Sequence, residues 1–345
     1  MCKASVRPIV RLFSLSLLHF VTDALCAAVI FSKLYPVSNK SAVLVFLIYN
    51  LAAFVLQAPL GALLDRYNRP HLLIATSGSL LLLAVLLSSA PILSVTFLGI
   101  GNALLHVAGG KAVAVETHND IASLGIFVST GAIGLFIGQH FATTPLFSLL
   151  LLAIFAGAFS CLCLVSPAVG PTNRMDHTTI KSGALLLISV AAVVAIRAFV
   201  GRITTPDFAL SANLTLFISL STALGKALGG ILCRFFKHCT VILVTMIAAL
   251  ILQVAGAGIP VLYFIGIMTF NCSMPITLHY TNRLLPGHEG FAFGALAALL
   301  IPGYFLALYI SPALRGHLIL FLTAATLMLL LLASRRLDQR HKEAP

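Results

Sequence analysis

The sequence predicts an all-α polytopic membrane protein with twelve transmembrane helices. Of its 345 residues 60% are hydrophobic and only 9% are charged, and its mean hydropathy is +1.07. A soluble domain carries about 25% charged residues and could not bury this much apolar surface. Apolar runs of about 20 residues, the length that crosses a hydrocarbon core about 30 Å thick, follow one another along the whole chain. Little sequence is left for a soluble domain.

Twelve segments meet this length criterion. In chain order they cover residues 9–32, 42–64, 71–89, 91–115, 121–140, 144–166, 184–205, 208–232, 239–259, 261–281, 291–311 and 313–334. Segment 1 follows basic residues, as a signal peptide would, but it is long, contains Asp23 and lacks a small-x-small cleavage site, so we expect a retained helix. The seven cysteines show no CxxC or Cys/His spacing. We therefore expect reduced thiols, no metal site and no cofactor.

The placement of the basic residues predicts the topology. A formal net charge of +12 alone would suggest a nucleic-acid partner. With a cytosolic N-terminus, however, most of the Lys and Arg lie on the cytosolic side, and only four face outside: Lys33, Lys40, Arg202 and Arg315. The positive-inside rule then places both termini in the cytosol and excludes nucleic acid as the partner. We expect a multi-pass protein of a bacterial plasma (inner) membrane, with the lipid bilayer as its main surroundings.

The chain divides into two halves of six segments. Residues 167–183, rich in Pro, Gly and Thr, form the longest polar interruption and are the predicted cytoplasmic linker. We expect an N-terminal six-helix bundle over 1–166 and a C-terminal six-helix bundle with a short basic tail over 184–345. An internal repeat supports this division, because "LGALLDRYNR" (60–69) and "LGGILCRFFK" (228–237) align without gaps. The alignment pairs Gly61 with Gly229 and Arg66 with Arg234.

The order GxxxDRxxR between segments 2 and 3, formed by Gly61, Asp65, Arg66 and Arg69, resembles the signature loop of the major facilitator superfamily. The resemblance extends to the twelve segments, the six-plus-six pseudo-symmetric repeat and the cytosolic termini, so it covers essentially the whole chain. It implies a monomeric transporter that uses this loop as a conformational latch. The latch residues would be Gly61, Asp65, Arg66, Arg69, Gly229 and Arg234.

Two positions of the loop depart from the family pattern. Asn68 stands where the family usually has Gly, and Pro70 stands where it usually has a basic residue. A physical interpretation of the loop does not need the family, since a carboxylate at a helix end can pair with a base or with a helix N-terminus in one conformation and not in another. The alternative is that Arg66 and Arg69 only anchor the loop by the positive-inside rule.

Polar and ionisable side chains inside the predicted helices mark the candidate site. A charge at the bilayer centre costs about 2.5–3.5 kcal/mol on insertion scales, so such a residue is first treated as functional. The resemblance implies that segments 1, 4, 7 and 10 line a central cavity, and most of the candidates lie on those segments. They are His19, Asp23, Asn102, His106, Lys111, Arg197, Lys226, Asn271 and His279.

His19 and Asp23 are spaced i,i+4, so their side chains share one face of segment 1 and can touch. Burial raises the pKa of a carboxyl group and an adjacent cation lowers it, which would make the protonation of Asp23 sensitive to the side of the membrane that wets it. We predict that this pair couples transport to protons. The alternative is a structural pair in which a neutral His19 only locks segment 1 against a neighbour.

The remaining candidates predict a solute cavity. Asn102 and His106, again spaced i,i+4, lie beside glycines of segment 4 that leave room for a ligand or for close helix packing. Arg197 cannot lose its charge and needs an anion, either Asp23 or an anionic group of the solute. Lys111, Lys226, Asn271 and His279 complete the predicted cavity, although a lysine about two turns from a helix end can also extend to the membrane surface.

These features predict a secondary active transporter for a small anionic or zwitterionic solute, working by alternating access. No nucleotide-binding loop is present, so we expect proton coupling, while a Na⁺ site built from carbonyls would leave no sequence trace. A short similarity of segments 1 and 4 to the fosmidomycin-resistance branch favours efflux over uptake. The alternatives are proton-driven multidrug efflux of lipophilic or cationic compounds, and a non-transporting membrane sensor. A membrane-embedded acyltransferase is a further alternative, since HxxxD occurs in such enzymes, but here the motif lies inside a spanning segment, so we expect no catalytic residue and no enzyme.

Overall fold

The computed structural model describes residues 2–34, 39–165, 177–204, 212–256 and 259–343, and these are helical almost throughout. Two π-helical stretches, Ile30–Leu34 and Leu51–Val55, continue the first and second α-helices. The α-helices of the described chain are α1 (Cys2–Val29), α2 (Asn39–Asn50), α3 (Gln57–Tyr67), α4 (Pro70–Leu86), α5 (Pro91–Glu116), α6 (Ile121–His140), α7 (Phe147–Leu164), α8 (His177–Ile203), α9 (Ala212–Phe235), α10 (His238–Ala255), α11 (Pro260–Asn271), α12 (Ser273–Leu284), α13 (Glu289–Ala298), α14 (Leu300–Ala307) and α15 (Pro312–Glu343).

Ten helical stretches of the described chain are long and apolar enough to cross a membrane. They are Arg7–Ser32, Ala42–Tyr67, Pro91–Glu116, Ile121–His140, Phe147–Leu164, Gly183–Ile203, Leu214–Phe235, Pro260–Leu284, Glu289–Ala307 and Ala313–Gln339. Two shorter apolar helices, Pro70–Leu86 and His238–Gln253, lie where the sequence predicts segments 3 and 9. The chain is an all-α, integral multi-pass membrane protein, as predicted.

Prolines explain three interruptions of the long helices. A proline lacks the N–H that would bond to the carbonyl four residues earlier, and its ring crowds that carbonyl. In each case the break lies three residues before the proline: Leu56 before Pro59, Cys272 before Pro275 and Leu299 before Pro302. The sequence predicts kinks at these prolines, and the breaks confirm them. The same prediction for Pro312 was wrong, because Pro312 is the first residue of α15, where its missing N–H has no partner to lose.

The chain forms two compact units. The first comprises Met1–Asn119, Thr130–Thr172 and Gly287–Ala298, and the second comprises Asp120–Ser129, Asn173–Pro286 and Leu299–Pro345. The first unit thus includes α13, and the second includes the first turns of α6. Residues 167–176 of the predicted linker lie outside the described residues, and α8 begins at His177.

In the first unit, α1 packs against α5 and α7, α4 packs against α5, and α3 packs against α13. A buried ion pair ties the ends of three of these helices together. The guanidinium of Arg11 binds the carboxylate of Glu116 through two contacts of 2.5 Å and donates to the carbonyls of Leu162, at 3.1 Å, and Val165. Arg11 is 2% exposed, so its charge is buried within the protein and not solvated at the membrane surface.

In the second unit, α8 packs against α14 and α15, α9 packs against α11, and α10 lies against α11 and α15. Its apolar core is centred on branched side chains of α8 and α10 together with Tyr280. Lipid tails are as apolar as the helix surfaces, so no hydrophobic force drives two helices together in a membrane. Close helix contacts therefore depend on small residues that let the two backbones approach. Gly225 and Gly229 of α9 lie directly against the backbone of Met268 and Cys272.

Candidate functional site

Asp23 lies at the centre of a buried polar cluster in the first unit. One carboxylate oxygen, Oδ2, is 3.3 Å from His19 Nε2, and the other, Oδ1, is 3.5 Å from His106 Nε2. Oδ1 also accepts a hydrogen bond from Asn102 Nδ2 at 3.0 Å. Asp23 is 8% exposed, His19 5% and Asn102 3%. The structure therefore brings together four of the predicted site residues, two from each of two helices.

Helix periodicity and one glycine create the space for this cluster. His19 and Asp23 share one face of α1, and Asn102 and His106 share one face of α5, because both pairs are spaced i,i+4. The two imidazole rings meet edge to face, with centroids 4.4 Å apart. Gly131 of α6 covers the pair on α1, and a Cβ added there would collide with Asp23 Oδ2 and come within 2.6 Å of His19 Nε2. A side chain larger than glycine would displace the cluster.

Further glycines of α6 hold that helix against α1. Gly134 lies against the backbone carbonyl of Phe20, and Gly138 lies against that of Ala24. The i,i+3,i+7 spacing of Gly131, Gly134 and Gly138 places all three on one face. This ridge fixes the distance between α1 and α6, so the position of Asp23 depends on backbone contact and not on flexible side chains.

In the second unit, Arg197 of α8 is buried at 8% exposure. Its Nη1 donates to the hydroxyl of Thr277 on α12 at 3.3 Å. Among the described residues, no carboxylate lies within ion-pair distance of this guanidinium. A guanidinium carries five N–H donors and keeps its charge, so one long hydrogen bond leaves most of its binding capacity unused. The sequence did not indicate Thr277, because a lone threonine in an apolar helix has no distinctive pattern.

The other predicted cavity residues of the second unit are Asn271, Lys226 and His279. Asn271 bonds to the carbonyl of Ile267 in its own helix at 2.9 Å, just before the break at Cys272. Lys226 is half-buried on α9. The ring of His279 meets that of His238 with centroids 5.5 Å apart. Arg197 contacts Thr277, which is not one of the predicted cavity residues.

The signature loop binds a helix N-terminus within the first unit. Asp65 accepts hydrogen bonds from the backbone N–H groups of Gly290, at 2.9 Å, and Phe291, at 2.7 Å, in the first turn of α13. Gly61, one turn earlier, lies in direct contact with the backbone of Gly290. The free N–H groups and the positive end of the helix dipole both favour a carboxylate at this position.

Lys111 belongs to the same contact. Its ammonium is 3.0 Å from Asp65 Oδ1 and 3.5 Å from the carbonyl of Leu64. The side chains of Lys111 and Asp65 are only 3% and 4% exposed. The sequence predicts Lys111 as a cavity residue, whereas the structure places its charge against Asp65 of the signature loop.

The remaining residues of the loop are exposed. Arg66 lies over the ring of Tyr67, 5.6 Å from its centroid, and Arg69 immediately precedes α4. Asn68 ends α3 in the left-handed region, with φ 50° and ψ 49°, and its N–H bonds to the carbonyl of Leu64. This explains the family's usual glycine at that position, since Asn is the residue other than Gly that tolerates this conformation best.

The second copy of the loop makes a different contact. Arg234, which aligns with Arg66, pairs with Asp120 at 2.7 Å. Asp120 also accepts from the backbone N–H and the hydroxyl of Ser123, at 2.9 and 2.6 Å, so it caps the N-terminus of α6. Burial tends to raise the pKa of Asp120, but the hydrogen bonds from Arg234 and Ser123 outweigh it and lower this pKa below its ordinary value of 3.8. Asp120 was not among the predicted site residues, although the D-x-x-S pattern of Asp120 and Ser123 indicates a helix N-cap.

Comparisons with known proteins identify the fold by structural similarity and not by sequence similarity. A scan against family models finds no match, and a search of curated proteins finds none. Solved structures do match over 94% of this chain and 97% of theirs. A major facilitator superfamily transporter, FucP in the outward conformation, has a TM-score of 0.68 at 14% identity, and another structure of FucP, the fucose:proton symporter of E. coli, has 0.64 at 13%. A bacterial homologue of the iron transporter ferroportin, in its outward-facing state, has 0.56 at 15%. The chain therefore has the fold of the major facilitator superfamily, as its signature loop and helix pattern predict.

Proposed function

We propose that this chain is a secondary active transporter that moves a small anionic or zwitterionic solute by alternating access. In this proposal the two shorter apolar helices, Pro70–Leu86 and His238–Gln253, complete twelve crossings, and both termini lie in the cytosol of a bacterial inner membrane. The protein acts as a monomer and is not an enzyme. Efflux is the favoured direction, because segments 1 and 4 have a short similarity to the fosmidomycin-resistance branch.

The buried charge of Arg197 is the observation that carries the choice of solute. Leaving a guanidinium buried without a counter-charge costs several kcal/mol, so an anion that binds it gains affinity. A carboxylate, phosphonate or phosphate can accept two parallel hydrogen bonds from such a group. Thr277, whose hydroxyl donates to the carbonyl of Met274 at 2.7 Å and accepts from Arg197, would orient the guanidinium. Cationic drugs, the alternative solutes, would find no favourable partner at Arg197.

The coupling ion in this proposal is a proton held between Asp23 and its histidines. His106 Nδ1 lies 2.9 Å from the carbonyl of Asn102, which can only accept, so in the neutral ring Nδ1 would carry the hydrogen and Nε2 would present a lone pair to Asp23. Two acceptors that face each other at 3.5 Å repel unless a cation lies between them. One structural neighbour is a fucose:proton symporter, which supports the choice of a proton.

Asp65 supports the alternating-access part of the proposal. The contact of Asp65 with the start of α13 can exist in one conformation and break in another, as a latch requires. In the conformation without this contact, the protein would still have to accommodate the charge of Lys111, which is buried beside Asp65. The strength of the contact between Asp65 and α13 would therefore set the equilibrium between the two conformations of alternating access.

The decisive experiment is proton flux in proteoliposomes that contain a trapped pH dye, challenged with phosphonates, organic anions, amino acids and cationic drugs. We expect a pH change that depends on an anionic or zwitterionic solute in the wild type. Asp23→Asn should lose gradient-driven accumulation and keep solute exchange, because the carboxylate is lost while the solute contacts remain. Persistence of driven accumulation in Asp23→Asn would reject this carboxylate as the coupling group. A response to cationic drugs alone would reject the anionic solute.

A further inference from the structure

We infer that His19, Asp23 and His106 form a binding site for a divalent transition-metal ion. One ligand atom from each residue lies within 4.8 Å of the other two, and all three side chains are largely buried. From the cysteine spacing alone no metal site was expected, and the residues that contribute to this cluster are far apart in the chain. The inference concerns what the cluster binds and does not depend on which solute the protein transports.

The spacing of the ligand atoms suits a small cation. In a tetrahedral site with bonds of about 2.0–2.1 Å, neighbouring ligand atoms are about 3.3 Å apart. His19 Nε2 and Asp23 Oδ2 are 3.3 Å apart, and His106 Nε2 and Asp23 Oδ1 are 3.5 Å apart. These two distances run to the two oxygens of one carboxylate, and one ligand atom from each of the three residues lies within 4.8 Å of the other two.

The surroundings of the cluster resemble the outer shell of known metal sites. A ligating histidine usually donates its second ring N–H to a carbonyl or carboxylate, which fixes the tautomer and the orientation of the ring. His106 has this arrangement, since its Nδ1 lies 2.9 Å from the carbonyl of Asn102. The amide of the same Asn102 donates to Asp23 Oδ1 and orients the carboxylate. One residue thus positions two of the three ligands.

The donor set defines the class of metal. Two imidazoles and one carboxylate suit Zn²⁺, Fe²⁺, Co²⁺ and similar first-row ions. Ca²⁺ and Mg²⁺ prefer six or more oxygen ligands, and Cu⁺ prefers sulfur, so we expect these ions to bind poorly. Three protein ligands leave at least one coordination position open, which is typical of sites where the metal or its fourth ligand exchanges. Gly131 provides the necessary room, because a side chain there would occupy the space beside Asp23.

Cobalt spectroscopy tests the site without any transport assay. The full chain, purified with an affinity tag that contains no histidine and treated with a chelator, is titrated with Co²⁺. We expect visible d–d bands that saturate at one Co²⁺ per chain and disappear when Zn²⁺ is added. Asp23→Asn should abolish these bands. His140→Gln, a substitution at an exposed histidine of α6, should leave them unchanged, and Asn102→Ala should weaken the affinity about 10–100-fold.

A ligand exchange locates the metal even if Asp23→Asn fails to fold. His106→Cys keeps three ligands and should add a thiolate-to-cobalt charge-transfer band that the wild type lacks. Absence of saturable cobalt bands in the wild type, or bands that none of these variants changes, overturns the inference. Cobalt binding in a protein that transports no solute would leave the metal site standing and reject the proposed function. Solute-dependent proton flux without cobalt binding would do the reverse.

Discussion

Asp65 and Gly290 are 225 positions apart in the chain and are joined by a hydrogen bond of 2.9 Å from the Gly290 N–H to Asp65 Oδ1. The carboxylate thus acts as an N-terminal cap for a helix that lies far from it in sequence. Gly61 allows the close approach, because a Cβ at that position would collide with the backbone of Gly290. The glycine and the aspartate of the signature loop therefore serve a single contact.

Removing the charge of Asp65 should destabilise this contact strongly. Asp65→Asn leaves the buried ammonium of Lys111 without a counter-charge, and breaking a buried pair in this way costs about 3–5 kcal/mol. We expect a lower midpoint of thermal unfolding in detergent and slower transport. The double variant Asp65→Asn/Lys111→Met removes the unpaired charge and should recover part of the stability. If the double variant is no more stable than Asp65→Asn alone, the two side chains are not energetically coupled.

Gly131→Ala should damage the cluster around Asp23 while the protein stays folded. Alanine is favoured over glycine in a helix by about 1 kcal/mol, but its Cβ would collide with Asp23 and crowd His19. We expect loss of proton-coupled flux at normal expression. Gly157→Ala on α7 is the matched control, because no atom lies within 4 Å of a Cβ added there. Equal flux in the two variants would contradict the close packing at Gly131.

Arg197→Lys should weaken solute binding by about 10-fold or more. Lysine retains the positive charge but cannot form two parallel hydrogen bonds with a carboxylate or phosphonate. Solute-dependent thermal stabilisation of the purified protein measures the affinity directly. Arg202→Lys is the control. It makes the same substitution five residues further along α8, at a residue that lies near the ring of Tyr304. Unchanged affinity for every transported anion in Arg197→Lys would exclude this guanidinium as the anion ligand.

The Asp120–Arg234 pair predicts a specific dependence of stability on pH. The pKa of Asp120 is lowered in the folded protein, so its ionised form stabilises the fold above the ordinary pKa of 3.8. That contribution is lost as the pH falls through the lowered pKa. The pair is partly exposed, at 31% and 55%, so the effect should be about 1 kcal/mol or less.

Asp120→Asn isolates this charge, because asparagine remains a good N-cap for α6. The unfolding midpoints of the wild type and this variant should differ by a constant amount between pH 7 and about pH 5 and converge below about pH 4. Asp120→Ala should be less stable than Asp120→Asn at every pH, since it also loses the cap. A difference between wild type and Asp120→Asn that persists unchanged at the lowest pH would show that the charge is not responsible.

Local sequence signals predicted the features that depend on neighbouring residues. Twelve apolar segments were recognisable because a membrane-spanning helix satisfies all its backbone hydrogen bonds within one continuous stretch. The kinks before Pro59, Pro275 and Pro302 follow from a missing N–H in the same helix. The pairing of His19 with Asp23 follows from the i,i+4 spacing.

Contacts between distant segments were beyond these signals. Nothing local in the sequence indicated that Arg11 is buried against Glu116, and Lys111 was predicted in the solute cavity, whereas its charge lies against Asp65. Which face of a helix meets which neighbour depends on the packing of all the helices, and no local pattern encodes it. The same reason applies to Thr277, whereas Asp120 carries a local D-x-x-S pattern that indicates its role as a helix cap.

The sequence by itself determined that this chain belongs in a membrane, which segments are apolar enough to cross it and which residues are costly to bury, because hydropathy and charge are properties of the residues themselves. Only the tertiary structure decided which of those costly groups meet. It placed His106 against Asp23 and the carboxylate of Asp65 against the start of α13. These contacts join residues 83 or more positions apart, and they form only where small residues such as Gly131 and Gly61 let two helices approach at backbone distance.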